Sequence, residues 1–82
     1  MLQKASLYNV RKGKTVVLSK ELPVSGGFGN SHPIPVDSRG EIVSEGFIMG
    51  MLRVQFYTHM HGTQLTQFNE LSAGNYLMVD IF

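Results

Sequence analysis

The sequence predicts a mainly β domain: a small five-stranded, half-open barrel of OB or SH3 type with one short helix, in a single unit over residues 1–82. Three observations predict it. Apolar and polar residues alternate after Gly50, with Leu52, Val54 and Phe56 on one side and Arg53, Gln55 and Tyr57 on the other. A β-branched run, Thr15-Val16-Val17-Leu18, follows the turn-forming pair Lys12-Gly13. Gly46 and Gly50 interrupt a long extended stretch, as at the corner of a small barrel. A hairpin-swapped β dimer is the alternative arrangement.

The first two strands are expected over 4–11 and 14–22, paired as a hairpin through Lys12-Gly13. A two-residue turn would set Arg11 against Lys14, and the two cations would repel. A three-residue loop ending on Gly13 at positive φ relieves that clash. Residues 25–40 read as a long loop, in which glycines surround Phe28 while Pro33 and Pro35 hold their neighbours extended. Residues 41–60 read as a strand bent at its glycines. Past Gly50, Leu52, Val54, Phe56 and Met60 are expected to point into the core, and Arg53, Gln55, Tyr57, His59 and His61 away from it. Leu65, Phe68 and Leu71 fall three apart and predict a short helix over 63–72, capped by Thr63 and ended by Gly74. A last strand turns Leu77, Val79 and Ile81 inward. An apolar strand at the C-terminus is expected either inside the sheet or paired across an oligomer interface.

Composition narrows the function. The chain has no cysteine, so neither a disulfide nor a thiolate metal site is open to it, and a cytoplasmic setting is expected. It is 43% hydrophobic but only 16% charged, which suits a small domain that covers part of its surface with another copy; a homo-oligomer, first of all a dimer, is expected. No apolar run is long enough to span a bilayer, and the N-terminus lacks the apolar core of a signal peptide, so no membrane partner is expected. Catalysis finds little support. There is no G-x-S-x-G elbow, Glu41 and Glu45 read as a solvated pair, and no spacing brings His59 to Asp80 or Glu70. No cofactor is expected.

Charge is unevenly spread. Residues 1–20 carry five basic groups and no acid (+5), whereas residues 21–82 carry two basic and six acidic groups (−4), for a net +1. The basic segment and the outward side of the strand after Gly50 suggest a surface for single-stranded DNA or RNA. Lys4, Arg11, Lys12, Lys14 and Arg53 would neutralise phosphates while Tyr8, Tyr57 and Phe28 stack on bases. The plainer reading has these cations in water and the tyrosines half-buried in the sheet. Over Arg11–Leu18 alone, RKGKTVVL is similar to the DNA-contacting hairpins of filamentous-phage single-strand-binding proteins and to the swapped hairpins of small β transcription regulators; the spacing to the later strands fits neither. The rival function class is a structural or protein-interaction module, of phage or mobile-element type, that works by oligomerising. A third class rests on His59 and His61, whose H-x-H spacing on a strand would place both imidazoles on one face as metal ligands, with His32, Glu70 or Asp80 as a third. Cupin barrels use H-x-H in this way but expect a glutamate a few residues on, where this chain has Leu65 and Thr66.

Overall fold

The computed structural model describes residues 1–23 and 32–81. Six antiparallel strands form one open sheet: β1 (Leu2–Lys4), β2 (Thr15–Leu18), β3 (Arg39–Ile42), β4 (Met51–Thr58), β5 (Gly62–Asn69) and β6 (Leu77–Asp80). A seven-residue helix, α1 (Glu70–Tyr76), lies between the last two. The lateral order is β1-β6-β2-β3-β4-β5. The mainly β expectation with one short helix therefore holds. The five-stranded barrel does not, because β1 and β5 end the sheet without meeting.

The reason is visible in how the core is covered. Val16, Leu18, Ile42, Leu52, Val54, Phe56, Phe68, Leu77 and Val79 line one face of the sheet and are buried. Ala5 and Val10 from the β1–β2 connection, Leu22, Ile34 and Ala73 of α1 complete the cluster. The connections and the helix close the apolar face, so the sheet need not curl onto itself to do so. Phe56 and Phe68 meet edge to face with centroids 6.5 Å apart, and the ring of Phe56 lies over Gly40 in the row β3 shares with β4.

Several sequence expectations change. The first two strands are not a hairpin, because β6 is inserted between β1 and β2. The turn at Lys12-Gly13 is nevertheless there. The amide of Lys14 donates to the Arg11 carbonyl at 3.1 Å, and Gly13 takes φ 91, the left-handed conformation that glycine supplies. Gly13 and Lys14 together face Ile42 across the sheet, which is a bulge, so Arg11 and Lys14 are not set against each other as ladder partners. Residues 25–31 of the loop expected over 25–40 lie outside the described residues, and the rest of it joins the sheet. Leu22 and Ile34 exchange both backbone hydrogen bonds, Ile34 is fully buried, and Arg39 already belongs to a strand.

Bends at Gly46 (φ 80) and Gly50 (φ 81) separate β3 from β4. β4 stops at Thr58, so Met60 stands 86% exposed in a turn instead of in the core, and His59 and His61 lie in that turn, off the strand face. The segment expected as a helix over 63–72 is mostly strand β5. The helix begins only at Glu70, Asn69 caps it in place of Thr63, and Gly74 sits inside it. Leu77 and Val79 point inward as expected, and Ile81 packs against the core. Their strand, however, is interior, flanked by β1 and β2, so it offers no free edge to an oligomer.

Candidate functional site

Strand register places each candidate side chain. Inward residues fix the outward rows by alternation. One outward row runs Lys4, Met78, Val17, Arg39, because Lys4 pairs with Met78, Met78 with Val17 and Val17 with Arg39. Gly40 pairs with Phe56, which brings Arg39 level with Tyr57, and Tyr57 pairs with Thr63. The next row runs Thr15, Glu41, Gln55, Leu65. Thr15, Arg39, Glu41, Gln55, Tyr57 and Thr63 surround a shallow depression of ≈ 330 Å³ on this outer face. Tyr57 stands 69% exposed beside Arg39. An exposed aromatic side chain on a sheet, with an arginine lining the same depression, is a surface on which a planar ligand can stack.

The basic segment lies next to this face and partly turns away from it. Tyr8, Arg11 and Lys14 line a separate depression with Gln3, Ser6, Asn9 and Ile81. Lys14 shares the side of its partner Ile42, whereas Thr15 faces the other way, so the two hollows lie on opposite sides of the sheet. The 6–14 connection is held by side chains as well as backbone. Asn9 Nδ2 donates to the Lys4 carbonyl at 2.9 Å, Asn9 Oδ1 accepts from the Ser6 amide at 2.9 Å, and an Arg11 guanidinium nitrogen donates to the Val10 carbonyl at 3.1 Å. Lys12 is exposed at the turn.

Two expected members stand apart. Lys4 is at the β1 end of the outward row, three strands from Arg39, and also borders a hollow formed with Glu70, Leu71, Gly74 and Asn75 at that end of the sheet. Arg53 shares the outer side of β4 with Tyr57 but borders a fourth hollow that also contains Glu45, Ile48 and Met49. Phe28 lies outside the described residues. Arg39, Gln55 and Thr63 were absent from the sequence-based set. Arg39-Gly40-Glu41-Ile42 reads as the start of a strand once Gly40 is understood as the space for Phe56; taken as the tail of a Pro/Gly-rich loop, Arg39 was hidden.

The histidines form a different arrangement from the one the H-x-H spacing suggests. His61 stacks on His32, with centroids 3.6 Å apart and planes 1° from parallel. Ring-nitrogen lone pairs lie in the ring planes, so two parallel stacked imidazoles do not aim them at one ion. Among the described residues, no three His, Asp or Glu side chains come together as metal ligands. Comparison of the chain with models of protein families, with curated protein sequences and with solved structures gives no match. No helix among the described residues is long and apolar enough to cross a membrane.

Proposed function

We propose that this domain is a non-catalytic binding module for single-stranded nucleic acid, with the outer sheet face as its surface. The observation that carries the reading is Tyr57, exposed at the level of Arg39 on that face. Tyr57 stacks on a base, Arg39 and Arg53 meet the flanking phosphates, and Thr15, Gln55 and Thr63 supply hydrogen-bonding groups. Lys12, exposed at the turn, adds positive charge near the face, while Tyr8, Arg11 and Lys14 line the hollow on the other side of the sheet. Lys4, at the far β1 end of the sheet, contributes least. Glu41 lies within the face and works against a polyanion, so affinity is modest and stacking matters as much as charge.

The test is fluorescence anisotropy with a labelled mixed-sequence single strand. Two phosphate contacts, from Arg39 and Arg53, predict a loss of affinity of roughly 7-fold between about 50 and about 200 mM salt. Tyr57→Ala should weaken binding by about 1–3 kcal/mol, the usual worth of one stacked base. Retention of wild-type affinity by a Tyr57→Ala, Arg39→Glu double variant would overturn the reading. A structural or protein-interaction role is the second reading, and the uncharged edge of β5 favours it.

A further inference from the structure

The two ends of the sheet are unlike. β1 has three residues, carries Lys4, and its preceding N-terminal ammonium lies 3.4 Å from an Asp80 carboxylate oxygen. Short length and charge are the usual means of blunting an edge. β5 has neither. It runs for eight residues, Gly62 to Asn69, with no charged residue and no proline. β2 is also uncharged, but it is interior.

The edge that β5 presents can be read from the hydrogen-bond pattern. The Val43 amide donates to the Arg53 carbonyl at 3.0 Å, so odd-numbered residues of β4 turn their backbone groups toward β3. Even-numbered residues turn theirs toward β5, where they pair with residues 62, 64, 66 and 68. The amides and carbonyls of Thr63, Leu65 and Gln67 therefore point away from the sheet. Those of Asn69 are taken by the Ser72 hydroxyl, which accepts from its amide and donates to its carbonyl. Gln64, 4% exposed on the inner side of this strand, has an Oε1 atom with no hydrogen-bond partner among the described residues.

We infer that β5 is the contact surface for a second copy of this chain, antiparallel about a two-fold axis through Leu65. Alternation allows only odd residues to exchange backbone bonds across the edge. Among those registers, centring on Leu65 pairs Thr63 with Gln67 of the second copy, Leu65 with Leu65, and Gln67 with Thr63. All outward groups of the three residues are then satisfied, and the cap of α1 is left intact. The same register sets Gln64 opposite Thr66 of the second copy in a non-hydrogen-bonded pair, where side chains approach most closely. The Thr66 hydroxyl is the donor the orphaned Oε1 lacks. Both outer faces lie on the same side of the joined sheet, which becomes twelve strands wide. The inference does not depend on what the outer face binds.

The test is sedimentation equilibrium of the full chain at up to hundreds of micromolar, with two variants and a cross-link. Wild type should approach twice the 9.1 kDa chain mass. Leu65→Pro removes an outward N–H and no ladder bond, and should give a monomer with a wild-type far-UV spectrum. Leu65→Lys leaves the backbone intact, sets two ammonium groups face to face across the axis, and should also give a monomer. Leu65→Cys should oxidise to a disulfide-linked dimer, since paired Cα atoms near 5.5 Å suit the bond and the chain has no other cysteine. A monomeric wild type, a dimer that survives Leu65→Lys, or a Leu65→Cys chain that does not cross-link would overturn the inference.

Discussion

Met49 and Gly40 show how single backbone positions shape this domain. Ile48 and Met51 exchange both backbone hydrogen bonds around Met49 (φ 53) and Gly50 (φ 81), a two-residue turn with both central residues left-handed. Glycine suits this conformation and asparagine tolerates it, whereas methionine is strained there. The Met49 side chain is 97% exposed and packs little. Met49→Asn should therefore raise stability by about 1 kcal/mol, read as a higher urea midpoint at unchanged slope. Gly40 is the opposite case. A Cβ there would sit 2.8 Å from Cδ1 of Phe56 and 3.0 Å from the Gln55 carbonyl oxygen. Phe56 is fully buried and has little room to withdraw. Gly40→Ala should cost about 1–3 kcal/mol by overpacking, measured by the same urea titration.

Among the elements, the β5–α1 junction shows most clearly what the sequence reveals and what it hides. Leu65, Phe68 and Leu71 are spaced as on a helix, yet the residues that β5 buries are Gln64, Thr66 and Phe68. A strand whose inward positions are largely polar, and whose leucine faces outward, lacks the alternation that marks β4. Where inward positions are apolar, as in β4 and β6, the pattern is legible and the structure agrees. The helix start is set instead by a reciprocal cap. Asn69 Oδ1 accepts from the Ser72 amide at 2.8 Å, and the Ser72 hydroxyl accepts from the Asn69 amide at 3.0 Å. Asn69→Ala should destabilise the domain by about 1 kcal/mol, visible as a lower urea midpoint, because a seven-residue helix has little else to fix its first turn.

For the molecule as a whole, lateral strand order decides which residues share a surface, and nothing in the local pattern encodes it. The basic segment looked like one side of a hairpin. With β6 lying between β1 and β2, its cations instead divide between the rim at Tyr8–Lys14 and the β1 end of the sheet beside α1. Tyr57 and Arg53 were legible as outward-facing because β4 alternates so regularly. Arg39 became the neighbour of Tyr57 only through the pairing of β3 with β4. The central claim, that the outer face is where a single strand binds, is tested most directly by amide chemical-shift mapping of the chain titrated with a short oligonucleotide. The account predicts the largest shifts at Arg39, Gln55, Tyr57 and Thr63, smaller ones at Lys12 and Lys14, and none around buried Ala73. Shifts confined to Tyr8–Lys14, or no shifts at low salt, would contradict it.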